Sequence, residues 1–190
     1  MTSPALLVTI AHVSDSVIQV ESLVKRFGNL AAVDDVSFEV KRGEVFGILG
    51  PNGAGKTTTM EIIEGIQKPT SGRALILGVD TCQEPERVKE RIGVQLQASA
   101  YFDYLTLTEI LELFGRFYSK RVPPNELLAK VGLVEKARAT VGKLSGGQKQ
   151  RFTIAASLVN NPEIVFLDEP TTGMDPQARR NLWDFIQEIH

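Results

Sequence analysis

Three short segments of this chain combine residue types and spacings suited to phosphate chemistry. Gly50-Pro51-Asn52-Gly53-Ala54-Gly55-Lys56-Thr57 fits the phosphate-loop pattern G-x-x-x-x-G-K-[ST]. Glycines let such a backbone wrap closely, so that successive N–H groups point at phosphate oxygens, and a following helix adds its positive end. Lys56 is placed to reach the β and γ phosphates of a nucleoside triphosphate, and the Thr57 hydroxyl to ligate magnesium. Asn52, Gly53, Ala54, Gly55, Lys56, Thr57 and Thr58 are therefore the candidate nucleotide-binding residues.

The second segment is Asp168-Glu169, at the end of the apolar run Ile164 to Leu167. A carboxylate at the tip of a buried strand beside the loop suits a magnesium ion, which assigns Asp168 to the metal. Its neighbour Glu169 is then free to orient and polarise an attacking water. The third segment, Leu144-Ser145-Gly146-Gly147-Gln148, reads as a second anion site, in which a capping serine precedes two glycines that bare the first N–H groups of a helix.

These segments need elements to hold them. Ile18 to Val24 and Ala32 to Val40 alternate apolar and polar residues, as antiparallel strands with one wet face do, and Lys41-Arg42-Gly43 makes a turn after the second. Val45 to Leu49 is short and continuously apolar, which predicts a strand buried on both faces just before the loop. A helix follows over Lys56 to Glu64, stopped by Gly65, and a small hairpin element starts at Ala74 to Leu77. Glu84 to Arg91 reads as a helix leading into a strand at Ile92 to Leu96. The periodic apolar positions between Thr106 and Val141 read as a helical subdomain. Ser145 caps a helix to about Val159, which Asn161-Pro162 ends, and Ile164 to Leu167 is a second fully buried strand. Asp175 and Pro176 start a final helix with Leu182, Phe185, Ile186 and Ile189 on one face. Strands separated by helices imply an α/β fold with a mostly parallel sheet.

Bulk properties narrow the possibilities. The 190 residues suit one globular domain, and 43% hydrophobic with 23% charged residues is an ordinary soluble composition. A net charge of −2, without a basic stripe, argues against nucleic acid as a partner. Cys82 is the single cysteine, so no internal disulfide forms and a reducing compartment is expected. Pro4 to Val13 is much shorter than the roughly 20 residues that span a bilayer, and residues 1–16 read as an N-terminal extension.

In combination and order the motifs resemble those of the nucleotide-binding subunits of ATP-binding-cassette (ABC) transporters, over essentially everything from Val17 onward. The wording around them (AVDDVSFEVKRGEVFGILGPNGAGKTT, LSGGQKQRF, LDEPTTGMDP) is most similar to bacterial exporters of the ABC-2 or multidrug type. The resemblance implies a phosphate-loop NTPase with an N-terminal antiparallel β subdomain and an inserted helical subdomain at about 98–159. It makes Gly50 to Thr57 the Walker A loop, Leu144 to Gln148 the signature, Ile164 to Asp168 the Walker B strand and Glu169 the catalytic glutamate. It assigns Phe27 to stacking on adenine, where tyrosine is commoner. Gln97 becomes the Q-loop glutamine that senses magnesium and the nucleophilic water, with Gln95 close by. Thr171 to Asp175 matches the D-loop.

The same resemblance implies ATP and Mg2+ as ligands and a second cassette as partner. Ser145, Gly147 and Gln148 of one copy would close over ATP held by the other. It also implies a transmembrane permease subunit, hence a peripheral location on the cytoplasmic face of the membrane. The family's switch histidine lies beyond the helix in which this sequence stops, and His190 reads as a solvated cation rather than a substitute. The domain at 17–190 is thus expected to be incomplete at its C-terminus, with turnover in question. The competing readings are a non-catalytic nucleotide-binding fragment and a soluble cassette ATPase of DNA repair or translation. The latter usually carries long insertions or a second cassette, whereas here only a compact helical stretch lies between Gln97 and Leu144.

Overall fold

The computed structural model describes residues 16–95, 101–167, 177 and 180. The chain opens with two long strands, β1 (Ser16–Phe27) and β2 (Leu30–Lys41), paired antiparallel with Val20 opposite Phe38 and Phe27 opposite Leu30. Their alternating sequences put Val20, Leu23, Val33 and Val40 into the core. The expected turn follows β2, where Glu44 N–H donates to Lys41 C=O at 3.2 Å. Helix α1 (Lys56–Ile63) packs Ile62 and Ile63 under the sheet. Strands β3 (Ser71–Ile76) and β4 (Val79–Asp80) form a short hairpin, giving an antiparallel sheet of order β2-β1-β3-β4.

Helix α2 (Pro85–Lys89) and strand β5 (Ile92–Val94) come next, both shorter than the sequence predicts. The helical lobe contains α3 (Leu107–Gly115), α4 (Pro124–Lys130) and α5 (Gly146–Ser157), with 3-10 turns at Val134–Lys136 and Val141–Lys143. The chain returns through strand β6 (Ile164–Phe166), which pairs parallel to β5, Val94 lying opposite Phe166. The apolar packing falls into two clusters. One joins the strands to α1 and α2 through Leu23, Ile62, Ile76 and Val88, and the other joins the lobe helices through Ile110, Leu127, Leu128 and Phe152. Fully burying each such side chain is worth about 1.5–3 kcal/mol. No helix of the described residues is long and apolar enough to cross a membrane.

Two predicted strands depart from expectation. Residues 44–50 form no hydrogen-bonded strand, and Val45 and Leu49 are exposed. Local apolar contact covers part of this segment, with the Phe46 ring stacking on Phe38 at 5.1 Å and Ile48 half-buried. The physical reason is pairing, because among the described residues no strand pairs with 45–50, and an apolar run becomes a buried strand only with neighbours on its edges. β6 is likewise half-open rather than fully buried, with Phe166 inside and Val165 37% exposed, because β5 is its one partner among the described residues. The predicted final helix lies outside the described residues, apart from helical backbone at Gln177 and Arg180.

Candidate functional site

The loop before α1 has a shape that glycine makes possible. Gly55, the residue capping α1, has φ +82, and a Cβ built there would sit 2.0 Å from the Ala32 carbonyl oxygen of β2. An L side chain is excluded both by conformation and by space. The loop therefore rests directly on the β1–β2 hairpin, at the end that carries Phe27. Ala32 gave no sequence signal, because its contribution is a backbone carbonyl.

No side chain caps α1, so its first N–H groups stay open. Among the described residues no hydrogen bond takes up the N–H of Gly53, Gly55, Lys56, Thr57 or Thr58, while that of Ala54 turns inward to Pro51 C=O at 3.2 Å. Gly55 C=O is held by both the N–H and the hydroxyl of Thr59, at 2.8 and 2.9 Å, which locks the loop onto the helix. The Lys56 ammonium folds back to donate to Gly50 C=O and Pro51 C=O, each at 2.9 Å. Asn52 and Thr57 are exposed. The result is a concave run of donors with a cation at its rim, the geometry a phosphate chain requires. A cavity of about 200 Å³ opens beside the loop, with Ala54, Lys56 and Thr59 on one side and Phe38, Phe46 and Leu49 on the other.

Phe27 is 49% exposed at the end of β1, and the Lys25 ammonium lies 5.0 Å from its ring centroid. The ring is open for stacking on one more flat partner.

At the second glycine-rich segment, Ser145 caps α5 in a reciprocal box. Its Oγ accepts from Gln148 N–H at 3.4 Å, and the Gln148 side-chain oxygen accepts from Ser145 N–H at 3.0 Å. Gln148 is thus occupied with the cap, while exposed Gly146 and Gly147 donate no N–H hydrogen bond among the described residues. The sequence could not tell a ligand-facing Gln148 from a capping one.

Gln97, Asp168, Glu169 and the segment Thr171 to Asp175 lie outside the described residues. The strands that lead to the first two are parallel neighbours, and Gln95 N–H extends their ladder by donating to Phe166 C=O at 2.9 Å. The Gln95 side-chain oxygen is buried without a partner beside that ladder.

A glycine loop seated on a sheet, an uncapped helix behind it and a lysine at its rim define a phosphate-loop nucleotide-binding domain. The particular family follows from comparison: the ABC transporter family profile matches residues 33–172, and the chain belongs to that family. It is 41% identical over 183 residues to the Nod factor export ATP-binding protein I of Ralstonia nicotianae, covering 93% of this chain and 56% of that protein. It is 45% identical over 164 residues to the doxorubicin resistance ATP-binding protein DrrA of Mycobacterium tuberculosis, covering 84% of this chain and 50% of the relative. The chain thus spans about half the length of the curated relatives it matches. Among solved structures, the dimeric MJ0796, a bacterial ABC transporter cassette, superposes with a TM-score of 0.76 at 29% identity, over 90% of this chain and 82% of that one.

Proposed function

We propose that this chain is the MgATP-binding portion of the ATPase subunit of an ABC exporter, peripheral to the cytoplasmic face of the membrane and serving a transmembrane permease. The observation that carries this reading is the set of N–H groups of Gly53, Gly55, Lys56, Thr57 and Thr58, which take no hydrogen bond among the described residues, around the Lys56 ammonium. The names of its relatives, one for Nod factor export and one for doxorubicin resistance, favour export over repair or translation. The α5 N-terminus supports a second cassette as partner. It holds open donors for which the chain's own loop has no evident need, and a related cassette is dimeric.

In this reading the loop N–H groups and Lys56 hold the β and γ phosphates of ATP, Phe27 stacks on the adenine, and Ser145 and Gly147 of the partner copy close over the γ phosphate. Thr57, Asp168 and Gln97 would hold magnesium, which supplies neutralisation of charge on the β and γ oxygens. Glu169 takes a proton from water as the water oxygen bonds to the γ phosphorus. The bond to the β–γ bridging oxygen breaks, leaving ADP and phosphate.

The test is a MgATP titration and a steady-state phosphate-release assay on the chain, with Lys56→Ala and Glu169→Gln. Lys56→Ala should weaken MgATP by roughly ten- to hundredfold, the worth of a hydrogen bond to a charged group. Glu169→Gln should keep affinity and lose any turnover. Equal MgATP affinity in Lys56→Ala would overturn the assignment of the loop.

A further inference from the structure

α5 belongs to the lobe cluster through Phe152, Ala155 and Ala156, and its far end abuts β5 of the other. Its first turn carries the open donors of Gly146 and Gly147, whereas Phe152 through Ser157 are buried on every side, which an amphipathic surface helix never shows. What grips this buried end is a polar side chain. Asn160, 2% exposed, donates from Nδ2 to Ile92 C=O at 2.8 Å and to Lys89 C=O and Glu90 C=O, each at 3.3 Å. Two of those carbonyls belong to the last turn of α2 and its cap, and the third to β5. The Asn160 Oδ1 is buried without a partner. An apolar residue would fill the same space without that cost, so the side chain is present for its donors.

The surroundings tighten the grip. Gly93 of β5 lies so close that a Cβ there would stand 1.9 Å from Ser157 C=O. One turn later Glu163 N–H donates to Arg91 C=O at 2.9 Å, and the Arg91 guanidinium meets the Glu163 carboxylate at 2.8 Å. A second tether joins the helical lobe to the same corner, where Ser119 donates to the Glu90 carboxylate from N at 3.2 Å and from Oγ at 2.7 Å. β5 and β6, which lead to Gln97 and Asp168, both start at this corner.

We propose that Asn160 is a positioning residue: its carboxamide fixes the angle at which α5 presents Ser145, Gly146 and Gly147 relative to β5 and β6. This rests on the reading of α5 as the partner-facing half of a composite ATP site. Asn160 touches no nucleotide, and it acts on the distance between the two halves that must meet.

The test places spin labels at Gln83→Cys and Glu135→Cys in a Cys82→Ser background, one on each lobe, and reads their distance distribution without nucleotide. The parent should give one narrow distribution, and Asn160→Asp, which keeps the shape and removes the donors, should broaden it at least twofold. In the unlabelled chain Asn160→Asp should keep MgATP affinity within twofold and weaken MgATP-driven association at least tenfold. Asn160→Ser, which retains one donor, should fall between, and it decides the matter where the aspartate variant does not fold. An unchanged distance distribution overturns the proposal, as does MgATP affinity falling in step with association. A distribution that broadens in a chain whose parent never associates with MgATP sustains the clamp and refutes the composite site.

Discussion

Two helices of this molecule begin at glycine-rich segments, and they are finished in opposite ways. α1 starts from a left-handed Gly55 with no side-chain cap, so the N–H groups of Lys56, Thr57 and Thr58 take no partner among the described residues. α5 starts from a closed box in which Ser145 and Gln148 satisfy each other, leaving Gly146 and Gly147. The first is a helix end left open, which in the proposed reading a phosphate chain completes, and the second is a complete helix end with donors to spare. A third helix shows what the second avoids. α3 carries the same box built from Thr106 and Glu109, whose carboxylate accepts from Thr106 N–H and hydroxyl at 2.8 and 2.7 Å. A glutamate there neutralises the helix end, whereas the uncharged Gln148 leaves α5 attractive to an anion.

The strongest way to break this contrast is Gly55→Ala. It adds a methyl against the Ala32 carbonyl in a left-handed residue, a strain of about 1–3 kcal/mol before the overlap itself is counted. MgATP affinity should fall at least roughly a hundredfold, as titration calorimetry would show. Next is Gln148→Glu, which makes α5 resemble α3. MgATP should bind as before, while MgATP-driven association, followed by sedimentation, should weaken at least about tenfold through repulsion of the partner's phosphates. Retained association would mean that the donors of α5 face something other than phosphate.

A smaller effect is expected of Ser145→Ala, which removes one half of the box and should lower stability by about 1 kcal/mol in a denaturant titration, leaving the loop of α1 untouched. The smallest concerns pH. Hydrogen bonds from the Thr106 backbone and hydroxyl hold the Glu109 carboxyl below the usual glutamate range. Its support for α3 is therefore fully present above that range and fades as pH falls through the lowered folded value. The Gln148 box does not titrate. Amide exchange protection at Glu109 should decline on acidification while that at Gln148 holds steady, and parallel decline would erase the distinction.

How much of this was legible in the sequence depends on how local its causes are. The β1–β2 hairpin, α1 and the Ser145 cap follow from alternation, glycine placement and residue spacing, all decided within a few neighbours. Val45 to Leu49 has the composition of a buried strand, but burial requires partners that sequence alone does not place, and among the described residues it has none. Asn160 escaped for a different reason. In the sequence it stands between the helix and the Asn161-Pro162 pair that ends it, and its contacts with Lys89, Glu90 and Ile92 arise only when distant segments meet. Ala32 acts through a carbonyl that every residue possesses, so no residue type could announce it.

The bond between the Lys56 ammonium and the Gly50 and Pro51 carbonyls has a consequence for selectivity. The loop supplies its own counter-ligand, so an arriving anion must exchange for it rather than simply add. A chloride or an isolated carboxylate brings too few acceptors to draw the ammonium off two carbonyls while also filling the N–H groups beyond. A polyphosphate brings enough to do both. In the proposed reading the folded-back lysine thus sets a threshold for entry that favours chained phosphates over the abundant small anions around the loop.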